Sequence, residues 1–323
     1  MKFRTEVEIR NSEIKIEKSD KIFSIGSCFA TEIHQILSNG QIQSLNNPFG
    51  TIFNPYSIRN EFEFLSFKKK FDEKDIISYK DKFISLDHHS SFDGQNLEAV
   101  LSKINNNIVD ANLFLKESKW VIITFGTSYI YEFLPKQKLV ANCHKIPGKF
   151  FNKRLLTSNE IQQSILETIQ IINEFCPSDI QILFTVSPVR HSKDGWTENN
   201  ISKSLLISNL YEVIKNEQNC HYLPVYEIMM DELRDYRFYK EDMLHPNQQA
   251  VNFIFDKFKN AYFFDDCIDF VQENFKILKS QEHQSHDKNS IVHQEFLAHI
   301  EQKIRSQQQK VTHPIFQSVK QNS

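Results

Sequence analysis

Only seven of the 323 residues are glycine. Where glycine is this rare, each one has a stronger claim to a special backbone position. Three of them, Gly26, Gly50 and Gly126, sit in segments that read as loops. Cysteine is also sparse: Cys28, Cys143, Cys176, Cys220 and Cys267 are odd in number, scattered, and contain no CxxC pair. That pattern argues against a disulfide framework and favours a reducing, cytoplasmic setting. No second Cys or His stands at metal-ligand spacing from Cys143, so neither a zinc site nor any other cofactor is expected. The longest apolar runs fall well short of the ~18 residues a membrane helix needs. The first twenty residues lack the apolar core of a secretory signal. Charge of one sign is missing too: 38 Lys and Arg face 41 Asp and Glu, for a net charge of -3. With no basic stripe, and only the solvated run Lys68-Lys69-Lys70, a nucleic-acid platform is not suggested. Nothing here fixes an oligomeric state.

Hydrophobic residues make up 40% of the chain, enough to bury a large core. Lys21–Ile25 reads as a short strand, Gly26-Ser27 as a tight turn, and Phe29–Leu37 as a helix with Phe29, Ile33, Ile36 and Leu37 on one side. Asn47-Pro48-Phe49-Gly50 and Asn54-Pro55 are turn signals, and Pro55 suits the first position of a helix running to about Leu65. The spacing predicts helices over Leu97–Lys116, Glu160–Phe175, Lys203–Lys215, Val225–Leu233 and Asn247–Lys259, the last being the final helix of the main body. Trp120–Phe125 and Asp179–Val186 read as strands covered on both faces, and His221–Leu223 as a shorter one. This alternation implies an α/β architecture with a mainly parallel sheet. Ligands of such sheets bind beyond the carboxyl ends of the strands. Three of those ends carry small or polar residues: Gly26-Ser27, Gly126-Thr127-Ser128 and Ser187-Pro188.

The composition turns polar near Lys279, which divides the chain into a body (residues 1–278) and a tail (residues 279–323). The tail reads as flexible, with one amphipathic helix near Ile291–Ile304 that could dock on this chain or on a partner.

Ser27 follows a glycine at a strand end and precedes a helix, where backbone amides and the helix dipole can stabilise an oxyanion. It also suits the simpler role of helix cap. The segment Asp242-Met243-Leu244-His245-Pro246-Asn247 places a carboxylate three residues before an imidazole. A serine nucleophile needs such a base, and the base needs an acceptor to fix its tautomer. Both residues also fit an ordinary loop ahead of a helix. Cys28 is the competing nucleophile, since a helix N-terminus lowers a thiol pKa. Arg190 follows a strand end, and either an anionic substrate group or a salt bridge within the fold would use it.

A Gly-Ser strand end near the N-terminus with D-x-x-H-P before the last body helix resembles the arrangement of SGNH/GDSL-type hydrolases. Residues 26–30 spell GSCFA, and this stretch is similar to the GSCFA family. So are NPFGTIFNP (47–55), FGTSYIYE (125–132), NCHKIPG (142–148), TVSPVRH (185–191) and YRFYKEDMLHPN (236–247). The resemblance spans the body and implies a three-layer α/β/α sandwich of SGNH or flavodoxin-like type. It implies Ser27 as nucleophile, His245 as base and Asp242 as its orienter, with the backbone of Ser27 and Gly50 holding the oxyanion. The third SGNH block normally supplies an Asn, but this chain has Gly126-Thr127-Ser128 there. Thr127, Asn142 or Asn54 are the candidate replacements, and His144 a candidate substrate contact. The expected activity is an ester hydrolase working through an acyl-enzyme on a small-molecule or glycan ester, with Trp196 and other aromatics as a sugar platform. An O-acyltransferase would use the same residues, and a glycan-binding protein could keep the scaffold without turnover.

Overall fold

The computed structural model describes residues 4–282 and 291–316. Five parallel strands form the central sheet: β1 (Ile22–Gly26), β2 (Ser44–Asn46), β5 (Trp120–Phe125), β9 (Gln181–Val186) and β10 (Cys220–Leu223), in the order β10-β9-β5-β1-β2. Period-two alternation splits their side chains between two cores. Phe23, Ile25, Val121, Ile123, Phe125, Ile182 and Phe184 face one side, and Ile22, Trp120, Ile122 and Leu183 the other. On the first side pack α2 (Pro55–Ser66), α3 (Leu97–Lys116), α4 (Ser158–Phe175) and α5 (Trp196–Ile214). On the second pack α1 (Cys28–Asn39), α7 (Gln248–Tyr262) and α8 (Asp265–Gln281). Both faces are covered, as a parallel sheet requires, giving the α/β/α sandwich.

Local chemistry sets the helix starts. Asn54 accepts from Ser57 N with Pro55 behind it, and Asn247 accepts from Ala250 N. Thr157 and Glu160 close a capping box on α4. α5 begins at Trp196, a full seven residues before the expected Lys203. Its first buried positions are Asn199, Ser202 and Lys203, so no apolar stripe marks them. The segment expected as a helix from Val225 is a single turn, α6 (Val225–Glu227), that widens into a π-turn at Ile228–Glu232. α8 was not anticipated and makes α7 the penultimate helix of that layer. Two small antiparallel units also went unanticipated: the hairpin β3 (Ile76–Tyr79)/β4 (Lys82–Ser85), and a sheet of β6 (Tyr129–Phe133), β7 (Lys138–Val140) and β8 (Phe151–Leu155) in the order β7-β6-β8.

The compositional change at 278/279 falls inside α8. Beyond it, α9 (Ile291–Gln308) lies against α8 through Lys303 Nζ and Glu273 Oε1 at 2.8 Å. Val311 and Ile315 enter the core beside α1, and Phe316 N donates to Gln41 Oε1 at 2.7 Å. Among the described residues, no helix is long and apolar enough to cross a membrane.

One buried group makes stability depend on pH. Glu61 of α2 is 1% exposed, and neither carboxylate oxygen has a hydrogen-bond partner. Burial, then the charge of Asp87, pushes its pKa well above the usual carboxylate value. The native state therefore holds a proton that the unfolded chain releases at ordinary carboxylate pH. Stability contributed below that unfolded pKa is lost as pH rises toward the folded one. Glu61→Gln keeps the shape and removes the ionisation. Its gain in Tm is expected to be larger at pH 8 than at pH 5, and an equal gain at both would refute the assignment.

Candidate functional site

Three strand ends meet at the carboxyl edge of the central sheet. β1 ends in Gly26-Ser27, β5 in Gly126-Thr127 and β9 in Ser187 to Arg190. A cavity of about 340 Å³ opens there, and Ser27, Thr127, His191 and His245 all line it. Phe53 closes one wall with its ring stacked on His191, centroids 5.7 Å apart. Tyr129, Tyr131 and Lys153 form another wall from the small antiparallel sheet.

Ser27 is the N-cap of α1. Its Oγ accepts from Phe29 N at 3.3 Å, and only 5% of the residue is exposed. It thus fills the simpler role of helix cap and also lines the cavity. Cys28, one position on, also lines the cavity, and burial pushes its thiol pKa up. A raised pKa works against the activation that a helix N-terminus supplies to a thiol.

The Asp242-to-His245 turn is locally self-built. Asp242 Oδ1 accepts from Leu244 N at 2.9 Å and from His245 N at 3.0 Å, while Oδ2 lies 2.6 Å from His245 Nδ1. Met243 takes the left-handed conformation that lets the turn close, with φ 58°. Hydrogen bonds from the His245 and Leu244 amides, then from the His245 ring, hold the Asp242 pKa down to about 2. The carboxylate is thus ionised at neutral pH and fixes Nδ1 as the donor, which leaves Nε2 as the acceptor for a substrate-side proton. No hydrogen bond joins His245 to Ser27; the two meet across the cavity. Catalytic hydrogen bonds are often open before substrate binds.

The oxyanion candidates fare differently. The Ser27 amide donates to Thr124 O at 3.1 Å and the Gly50 amide to Asn47 O at 2.8 Å, so both are already engaged. Gly50 is not part of the cavity lining. Its φ of 81° and a virtual Cβ only 2.2 Å from His89 Cβ explain the glycine by packing. The Gly126 amide donates to Phe53 O at 2.7 Å. Thr127 does line the cavity, with its Oγ1 held 2.9 Å from Ser202 Oγ. Asn54 spends its side chain on Ser57. Asn142 and His144 lie away from the cavity, on the β4 side of the small sheet. Asn142 Oδ1 accepts from His144 N at 2.9 Å. The His144 ring contacts Ser85 O at 2.7 Å and Asp93 Oδ1 at 2.8 Å. The amide of Cys28, at the first position of α1, has no backbone acceptor among the described residues, and its hydrogen bond is to its own thiol.

Two lysines and a histidine near the site escaped the sequence reading of roles. Lys203 is 1% exposed, and its ammonium donates to Gly126 O at 2.6 Å and Ser187 O at 2.7 Å, tying the ends of β5 and β9 together. Burial, then the charge of Arg190, lowers its pKa to about 7. Its phase on α5, three and seven residues before the buried Leu206 and Leu210, was the available signal. Lys153 pairs with Asp194 and sits over the Tyr129 ring at 4.4 Å. His191 is held neutral, its pKa lowered to about 4 by burial and then by the Lys203 charge. Among the described residues no cluster of three His, Cys, Asp or Glu could hold a metal ion.

The profile of the GSCFA family matches residues 21–258, a span from the start of β1 into α7 that includes Ser27, Asp242 and His245. No curated protein matches the chain.

Proposed function

The chain belongs to the GSCFA family, and from that premise we propose that it is a serine ester hydrolase with SGNH-type chemistry. The observation that carries this reading is the meeting of Ser27 and His245 at one cavity, with Asp242 fixing the His245 tautomer at 2.6 Å. His245 Nε2 takes the Ser27 hydroxyl proton as Oγ attacks the acyl carbonyl. The protonated imidazole, stabilised by the Asp242 carboxylate, then gives that proton to the departing alkoxide. Water, or an acceptor hydroxyl in a transferase variant of the same chemistry, attacks the acyl-Ser27 ester with His245 again as base.

The oxyanion assignment differs from the SGNH template. With the Ser27 and Gly50 amides occupied, the Cys28 amide at the positive end of α1 is the donor of choice, joined by the Thr127 hydroxyl. The test is covalent labelling with a fluorophosphonate, mapped by peptide mass spectrometry, alongside hydrolysis of short aryl esters. The label is expected on Ser27, with release of the aryl alcohol. An unlabelled protein that leaves a broad ester panel intact would remove the enzyme reading, and a label on Cys28 would move the nucleophile.

A further inference from the structure

Arg190 stands where the cavity meets a second, shallower one lined by Trp196 and Arg234. Its amide donates to Leu244 O at 3.3 Å, inside the Asp242-to-His245 turn. The guanidinium lies over the Trp196 ring at 5.2 Å. Its Nη1 faces the Met230 sulfur at 3.5 Å and its Nη2 the amide oxygen of Asn200 at 3.1 Å. Both acceptors are neutral, and a thioether is a weak one. Nε is buried with no partner at all.

An arginine in such a place normally meets a carboxylate, because an unpaired, partly desolvated charge is costly. The acids that line the two cavities are spent elsewhere. Asp194 is paired with Lys153, and Asp235 lies 3.7 Å from Arg237. Within reach of its charge lies instead Lys203, a second buried cation whose own contacts are two carbonyls. Lys193 adds a further positive group to the cavity lining. The salt bridge within the fold that would have explained Arg190 is absent among the described residues.

We propose that Arg190 binds an anionic group, a carboxylate or a phosphate, carried by the substrate of the Ser27 cavity. This inference rests on the ester-hydrolase reading for the word substrate, and on geometry alone for the anion. The planar guanidinium, braced on Trp196 and held against the catalytic turn, offers the anion the edge whose Nη1 and Nη2 now face only the neutral Met230 sulfur and Asn200 oxygen. The anion thereby places the ester relative to His245. Neutral esters lose that contact and are the poorer substrates.

Calorimetric titration of Ser27→Ala protein with inorganic phosphate and, separately, with succinate tests the anion without any turnover. At least one is expected to bind at physiological ionic strength, and the preferred one distinguishes phosphate from carboxylate. Arg190→Gln in the same background should weaken it by roughly tenfold or more, the loss expected for a charge-assisted hydrogen bond. Arg190→Lys, which keeps the charge without the planar fork, should fall between the two. Lys193→Gln, on the same cavity, should cost less than Arg190→Gln. Binding by neither anion, or equal losses from Arg190→Gln and Lys193→Gln in proteins of unchanged Tm, overturns the proposal. Should Arg190→Gln fail to fold, Arg190→Lys decides: undiminished binding counts against the role of the fork. Ester hydrolysis without anion binding would leave the proposed function standing and remove this one. Arg190-dependent anion binding without hydrolysis would do the reverse.

Discussion

Ser27→Ala and His245→Ala are each expected to lower kcat/KM for an aryl ester by about 10⁴- to 10⁶-fold, and the double variant by no more than the worse single one. The reason is that the two groups act in one step. Without the His245 base the Ser27 hydroxyl is a weak nucleophile; without the hydroxyl the base has no proton to take. What survives in either single variant comes from substrate binding and the oxyanion donors, and those also survive in the double. Asp242→Ala should be roughly 50-fold milder, because it acts through the ring rather than on the substrate. Its carboxylate stays ionised down to about pH 2, so activity lost well above that pH reports on some other group. Steady-state kinetics on the parent protein and these four variants checks this. Losses that multiply in the double variant would show that Ser27 and His245 do not share a step. Turnover that survives Ser27→Ala and disappears in Cys28→Ala would assign the chemistry to the thiol.

The parts of this molecule that read clearly from sequence are those whose causes are local. The helix expected over Leu97–Lys116 and the strand expected over Trp120–Phe125 coincide with α3 and β5. The helix has Asn96 as its cap and an apolar stripe through Val100, Ile104 and Ile108; the strand, covered on both faces, reads as an apolar run. The Asp242-to-His245 pair is equally local, three residues apart on one turn. The start of α5 was hidden because Asn199, Ser202 and Lys203 are buried for their hydrogen bonds rather than their hydrophobicity. The small β7-β6-β8 sheet was hidden by its mixed, half-exposed strands. Yet it brings Tyr129, Tyr131 and Lys153 to the cavity. The oxyanion donors were the least legible. Which amide is free depends on partners such as Thr124 O and Asn47 O, and sequence spacing does not reveal those bonds.

Gly26→Ala is expected to lower stability by about 3 kcal/mol or more, the sum of backbone strain and overpacking. Gly26 has a φ of 138°, a conformation that L side chains rarely adopt. A Cβ placed there would lie 2.2 Å from Thr124 O and 2.8 Å from Thr124 C. Those are backbone atoms of β5, paired in register with Gly26 itself, so relief requires prising apart two central strands. At about 2 °C per kcal/mol for a chain of this size, Tm should fall by roughly 6 °C or more. Gly148→Ala, where the added methyl meets nothing within 4 Å, is the matched control and should stay within about 0.5 kcal/mol. Equal Tm values for the two variants would sink the argument. The strain would also reach the site, since Gly26 N donates to Asn47 Oδ1 at 2.7 Å and Ser27 N to Thr124 O at 3.1 Å, fixing where the hydroxyl emerges. The glycine of the Gly-Ser turn is therefore demanded by the sheet whether or not the serine reacts. Its presence is no evidence for catalysis, and the case for Ser27 rests on the imidazole across the cavity.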